Sequence, residues 1–170
     1  MSTADLLAIL RRHTGIDQLL NRITTHFLAS ADRLRAAAAI VALSRLATGE
    51  QSQADAVPLR MMRTQLAELR QHPLILQAEL GPALGDMSAG RLRLPDDDAD
   101  ALRLLANGTT TAACLGLDQS AGHAEIADAA DAEIGRWQRL EWSHAWKTRK
   151  YGQIARQMCE GFFFTAEEQR

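Results

Sequence analysis

Two cysteines and five histidines are the side chains of this sequence that could supply a nucleophile and a base. Cys114 and Cys159 are far apart, form no Cys-x-x-Cys pair and have no histidine close by in the sequence. Cysteine–histidine catalysis needs both groups within hydrogen-bond reach, which only the fold could arrange here. The sequence therefore favours buried, reduced thiols. An enzyme with a spatially assembled Cys/His site is kept as an alternative.

Residue spacing also argues against nucleotide and metal chemistry. A P-loop needs Gly-x-x-x-x-Gly-Lys-Ser/Thr, because its backbone donors and its lysine must meet the phosphates together. The only lysines are Lys147 and Lys150, and neither follows a glycine. No two histidines are four residues apart, and no pair of Glu-x-x-His motifs is present for a carboxylate-bridged metal site. We predict no catalytic, cofactor-binding or metal-binding residues, no cofactor, and a protein that is not an enzyme.

The densest carboxylate cluster is Asp96, Asp97, Asp98 and Asp100, which follows Pro95. Proline is favoured at the beginning of a helix, and carboxylates there meet the positive end of the helix dipole. The cluster is therefore interpreted as an exposed helix start and not as an acid–base site.

Aromatic residues are concentrated in the final third of the chain, where Phe162, Phe163 and Phe164 are consecutive. Three consecutive helical residues point in three directions, so at least one ring should be exposed and available to a partner. Trp142 and Trp146 are further partner-contact candidates. Basic residues interleave with the rings, which is also a pattern of surfaces that contact membranes or single-stranded nucleic acids. The favoured interpretation is that most of the rings form the core where the last two helices meet.

These side chains must be positioned by helices, because alanine and leucine dominate the composition and no alternation typical of strands persists. We predict an all-α bundle of five to seven helices, with one long N-terminal helix and a C-terminal helical hairpin. The long helix covers 16–48, where Leu20, Phe27 and Leu34 lie on an apolar stripe and complete the partner-contact candidates.

Four parts are predicted along the chain. They are an N-terminal helical part over 1–80, a connector over 81–93, a C-terminal helical part over 94–164 and a tail over 165–170. The connector is placed at Gly81, Gly85 and Gly90. Within the N-terminal part, the buried face of one helix is predicted to consist of Met61, Met62, Leu66 and Leu69.

Charge and hydropathy restrict the partners. The formal net charge is −2, which provides no electrostatic surface for nucleic acid. The start of the sequence lacks the basic region of a signal peptide, and no apolar run approaches the roughly 20 residues that a membrane span needs. We expect a cytoplasmic protein that binds a protein partner or itself.

The first part of the long helix has a Gly-hydrophobic-x-x-Leu start followed by an Ala-Asp-x-Leu-Arg-Ala core. These motifs are Gly15-Ile16-Asp17-Gln18-Leu19 and Ala31-Asp32-Arg33-Leu34-Arg35-Ala36. In these residues it resembles the helix that follows the G domain in bacterial dynamin-like GTPases. Further similar segments are Leu115-Gly116-Leu117-Asp118, Ala124-Glu125-Ile126, Arg136-Trp137 and Cys159-Glu160-Gly161. The resemblance implies a helical region that communicates with a GTPase domain, in the same chain or a separate one. The G domain itself is absent from this sequence.

The C-terminal half is also similar in layout to a J-domain, at Leu115-Gly116-Leu117, Ala124-Glu125-Ile126 and Arg156-Gln157-Met158-Cys159-Glu160. The His-Pro-Asp connection that this co-chaperone family uses is replaced by Glu141-Trp142-Ser143-His144-Ala145. The leading hypothesis is a non-enzymatic interaction module resembling the stalk or regulatory region of a dynamin-like GTPase. A stand-alone adaptor that binds through its aromatic C-terminal end is the alternative.

Overall fold

The computed structural model describes residues 14–48 and 56–170, and within this part it is entirely helical. In chain order the helices are α1 (Ile16–Thr48), α2 (Ala56–Arg70), α3 (Pro73–Ser88), α4 (Asp96–Asn107), α5 (Thr111–Cys114), α6 (His123–Leu140) and α7 (Trp146–Glu168). The predicted all-α class is confirmed. No helix of the described part is long and apolar enough to cross a bilayer.

The main core lies where α3, α4, α6 and α7 meet. Its largest fully buried side chains are Trp137, Leu80, Leu102, Leu105, Met158 and Cys159. Helices α6 and α7 pack as an antiparallel hairpin, with Gly152 at the contact. A Cβ on Gly152 would lie 3.3 Å from Leu140 Cβ and 3.4 Å from the Trp137 carbonyl oxygen. Glycine therefore lets the two helices approach closely.

A buried glutamine joins α3 to the segment between α4 and α5. Gln77 Nε2 donates to the Leu105 carbonyl oxygen at 2.9 Å and to the Gly108 carbonyl oxygen at 2.7 Å. A Cβ on Gly108 would lie 2.6 Å from the Cys114 backbone nitrogen. The tight turn after α4 therefore requires glycine, and Gln77 satisfies carbonyl groups that the end of α4 leaves exposed to the core.

A smaller apolar cluster joins α1 to α2 and α3. It consists of Ile40 and Ala47 of α1, Leu66 of α2 and Ile75 of α3, with Met62 packed against it. Met61 and Leu69, by contrast, are exposed. The predicted buried face of α2 is therefore wrong at these two positions, because only one side of this helix meets α1.

The connector predicted over 81–93 is wrong for its first eight residues, which belong to α3. Gly81, Pro82 and Gly85 are helical, although glycine and proline lower helix propensity. Leu80 and Ala83 are completely buried against the core. Their burial keeps this segment helical. The chain leaves the helix only after Ser88, and Gly90 adopts a left-handed φ of 69°.

The predicted boundary between the N-terminal and C-terminal parts does not agree with how the helices pack. Leu76 and Leu80, assigned to the N-terminal part over 1–80, lie in the same core as the helices of the part over 94–164. The predicted tail over 165–170 is helical to Glu168, and Ala166 is buried. Residues 1–13 and 49–55 of the predicted N-terminal part lie outside the described residues.

Candidate protein-interaction surfaces

Both thiols are part of the main core. Cys159 is completely buried, and this burial, followed by the charge of Glu133, raises the pKa of its thiol far above the ordinary value. The Cys114 Sγ lies 3.6 Å from Gln77 Nε2 and 3.8 Å from the Leu105 carbonyl oxygen. A thiol that stays protonated is a weak nucleophile. Among the described residues no His, Cys, Asp and Glu side chains are grouped to hold a metal ion.

The first exposed apolar surface is the beginning of α1. Ile16, Leu19 and Leu20 are spaced three and four residues apart and are all exposed, Leu19 to 58%. We call these three residues the α1 apolar face. The side chains of Phe27 and Leu34, predicted on the same stripe, lie outside the described part of the structure.

The other end of α1 is fixed to the body of the protein. Ile40 and Ala47 are buried, and the Arg63 Nε of α2 donates to the Ala47 carbonyl oxygen at 2.8 Å. On the same half of the helix, Val41, Leu43 and Leu46 are exposed. This 33-residue helix is about 50 Å long at 1.5 Å per residue. Its first turns therefore lie well away from the residues that anchor it.

A groove of about 610 Å³ lies between α1 and α3. Ala37, Ala38, Val41, Ala42, Ala78 and Pro82 provide its apolar lining, and Arg45, Glu79 and Lys150 its charged lining. The alanines leave room because their side chains are short.

The aromatic candidates do not form one surface. Phe162 is buried, Phe163 is partly buried against the core, and Phe164 is 63% exposed, as three directions around a helix require. Trp142 and Trp146 are 84% and 61% exposed. Trp146 and Phe164 are 18 residues apart on α7, which is about 27 Å along the helix axis. The tryptophans and Phe164 therefore lie at opposite ends of α7.

Hydrogen bonds hold the turn between α6 and α7 that carries the two tryptophans. The Ser143 backbone N–H donates to the Leu140 carbonyl oxygen at 3.1 Å, and the Ala145 N–H donates to Ser143 Oγ at 3.2 Å. Arg149 Nη1 donates to the Ser143 carbonyl oxygen at 2.9 Å. The turn is thereby tied to both helices. We call Trp142, Trp146 and the turn between them the tryptophan turn.

Asp86, at the end of α3, fastens this helix to the start of α7. Its carboxylate lies 2.7 Å from Arg91 Nε and 2.8 Å from Lys147 Nζ, and it accepts a hydrogen bond from the Tyr151 hydroxyl at 3.2 Å. The hydrogen bonds from Lys147 and then Arg91 lower the pKa of Asp86 from 3.8 to about 2. The Lys147 ammonium also lies 5.8 Å from the centre of the Trp146 ring.

Other ion pairs surround the same end of the hairpin. Arg156 Nε of α7 lies 2.5 Å from a Glu141 carboxylate oxygen, and Arg156 also pairs with Glu160. Asp98 of α4 lies 3.0 Å from Arg136 Nη1 of α6. The predicted helix start at the acidic cluster is confirmed, since Asp96, Asp97 and Asp98 form the first turn of α4. Sequence reasoning missed Asp86, whose partners Lys147 and Tyr151 are more than 60 residues away.

Comparison with known proteins found no matching protein-family model, curated protein or solved structure.

Proposed function

We propose that this chain is a non-enzymatic helical module that acts through helix–helix contacts, either with a second copy of itself or with a GTPase domain. In this proposal it corresponds to the stalk or regulatory region of a dynamin-like GTPase. The G domain would be a separate part of the same protein or a separate protein.

The observation that carries the proposal is the exposure of Ile16, Leu19 and Leu20 on α1. Burying such a face against another helix would remove apolar side chains from water, at about 25 cal/mol per Å². The three- and four-residue spacing is the pattern with which one helix packs along another or into a groove. The C-terminal half of α1 is held by the buried side chains of Ile40 and Ala47, and the same helix carries the α1 apolar face at its beginning.

The experiment compares two charged variants of α1. Leu19→Asp places a carboxylate on the α1 apolar face, whereas Asn21→Asp places one on an exposed position that points away from it. We expect size-exclusion chromatography with light scattering to show an assembly of the unmodified protein that Leu19→Asp disrupts and Asn21→Asp retains. Where the partner is a GTPase, the immobilised unmodified protein and the Asn21→Asp variant should retain it, and the Leu19→Asp variant should not.

A monomeric unmodified protein that retains no GTPase from a bacterial lysate would contradict the proposal. Equal behaviour of Leu19→Asp and Asn21→Asp would also contradict it, since the apolar face would then not be the contact.

A second candidate function is an adaptor that binds a protein partner through its exposed aromatic residues. The exposure of Trp142 and Trp146 on a hydrogen-bonded turn favours this candidate, because tryptophan side chains on rigid supports dominate many protein interfaces. Phe164 is the other exposed ring, at the far end of α7. Phe162 and Phe163, which pack against the core, support α7 and leave Phe164 as the contact of the triplet.

The adaptor candidate predicts that substitution of one set of exposed rings abolishes partner capture and leaves the helical circular-dichroism spectrum unchanged. Trp142→Ala with Trp146→Ala tests one end of α7, and Phe164→Ala tests the other. Capture that survives both sets of substitutions would exclude the adaptor function.

A further inference from the structure

We infer that the tryptophan turn and the basic side chains around it form a docking surface for a short acidic segment of a partner protein that carries apolar residues. This inference rests on the second candidate function, the adaptor, and adds the chemistry of its partner.

Charge is unevenly distributed in the molecule. The whole chain has a formal net charge of −2, yet between Arg139 and Met158 there are five basic residues and one acidic residue. Both lysines of the chain are among them. The acidic residue, Glu141, is paired with Arg156, and Asp86 from α3 is paired with Arg91 and Lys147. Arg156 also pairs with Glu160. These pairs neutralise Lys147, Arg91 and Arg156 as well as the carboxylates, so the positive charge available to a partner at this end is that of Arg139, Arg149 and Lys150.

Arg139 and Lys150 are exposed and lie on the helices that flank the turn. Arg139 is in the last turn of α6, where its Nη1 donates to the Gly135 carbonyl oxygen at 3.2 Å. Lys150 lies four residues after Trp146 on α7 and is therefore its neighbour on the helical surface, with its ammonium 5.3 Å from the centre of the Tyr151 ring. These cations would pair with carboxylates of a bound segment whose apolar side chain covers the exposed rings.

The beginning of α7 favours the same partner charge. Its first turn, from Trp146, contains no acidic residue, and its N-cap residue Ala145 makes no side-chain capping bond. The partial positive charge at the N-terminus of α7 therefore adds to the charge of the basic side chains. This contribution is local, as it falls off within the first turn.

A short peptide fits these observations better than a polyanion. Nucleic acids and anionic membranes need basic surface that extends over many contacts. Here the basic region ends where α6 meets the acidic start of α4. Asp98 of α4 contacts Arg136 of α6, and Arg136 lies six residues before Trp142. Asp96 and Asp97 beside it are exposed and would repel a long polyanion. A peptide of a few residues can occupy the tryptophan turn without reaching them.

The test uses the whole chain and an array of fluorescein-labelled 12-residue peptides of aspartate and glutamate that carry one leucine and one phenylalanine at spacings of one to four. Two matched arrays replace the acidic residues by lysine or by serine. Binding is followed by fluorescence anisotropy at several NaCl concentrations. Tryptophan emission gives a second signal, because Trp137 is buried and stays constant whereas Trp142 and Trp146 become covered.

We expect acidic peptides to bind about tenfold or more tightly than their lysine and serine counterparts, with affinity that falls as NaCl rises. Trp142→Ala with Trp146→Ala should weaken binding about tenfold or more. Arg139→Ser with Lys150→Ser should weaken it less and reduce the salt dependence. Val57→Ala is the control, since this apolar side chain is 66% exposed on α2, which packs against α1 and α3, and its removal should leave peptide binding unchanged.

Equal binding of all three arrays, lost on substitution of the tryptophans, would overturn the acidic chemistry and leave the adaptor function standing. If none of the acidic peptides binds, the inference is overturned. Light scattering that shows a dimer dissolved by the tryptophan substitutions would overturn it too, because the occupant would then be a second copy. The inference would also be overturned if anionic vesicles bound the protein through both tryptophans while no peptide bound.

Discussion

Among the described residues, sixteen buried side chains form the core between α3, α4, α6 and α7, whereas four form the cluster that joins α1 to α2 and α3. The large core contains Trp137, Tyr151, Met158 and Phe162. The small cluster consists of aliphatic side chains only. Since stabilisation scales with buried apolar area, the C-terminal helices hold one another in place. Helix α1 instead keeps several apolar residues at the surface, where a partner can reach them.

The largest expected effect is in the main core. Trp137→Ala should lower the free energy of unfolding by about 3 to 5 kcal/mol, because it removes the largest side chain that is fully buried in the described part and leaves a cavity. A truncation in the small cluster, Ile40→Ala, should cost about 2 kcal/mol, at the low end for buried aliphatic residues. Urea unfolding followed by circular dichroism measures both. Equal losses of unfolding free energy in the two variants would contradict the proposed difference in stability between the large core and the small cluster.

A polar contact of the main core should show the next effect. Gln77→Leu keeps a side chain of similar volume but removes the Nε2 donor from the Leu105 and Gly108 carbonyl oxygens. We expect a loss of about 2 kcal/mol in the same urea experiment, since an unsatisfied buried acceptor costs about 1 to 3 kcal/mol. Gln71→Leu, on the exposed segment before α3, is the control. If the two variants unfold alike, the buried hydrogen bonds do not stabilise the core.

The third effect depends on pH. The pKa of Asp86 is lowered from 3.8 to about 2 in the folded protein, so its ionised form stabilises the fold above pH 3.8. This stabilisation should be lost as the pH falls through the range from 3.8 to about 2. Asp86→Asn should be less stable than the unmodified protein at neutral pH, and the difference should shrink in acid. A difference that is independent of pH would contradict the role of the Lys147 and Arg91 pairs.

The smallest effect is expected on the exposed side of α1. Leu46 is 71% exposed, and Leu46→Ala should change the free energy of unfolding by less than about 0.5 kcal/mol. Leu80→Ala, the same substitution in the main core, should cost several times more, about 2 to 5 kcal/mol. A large loss for Leu46→Ala would mean that this side of α1 is covered in solution, which light scattering can attribute to self-association.

Several elements could be predicted because their signals are local. The proline and three aspartates before α4 mark its start, and Asn107-Gly108 marks its end. The exposure of one ring in the phenylalanine triplet follows from helical spacing alone. Sequence spacing could not tell which of Met61, Met62 and Leu66 would be buried, since this depends on where α1 crosses α2.

The sequence by itself determined the helical class, because helix propensity, caps and the absence of strand periodicity act between residues that are neighbours in the chain. Tertiary structure decided that α3 continues through Gly81, Pro82 and Gly85, since burial of Leu80 and Ala83 outweighs their poor propensity. It also decided that Asp86 pairs with Lys147 and accepts a hydrogen bond from Tyr151. These features depend on contacts between distant parts of the chain, which no local pattern encodes.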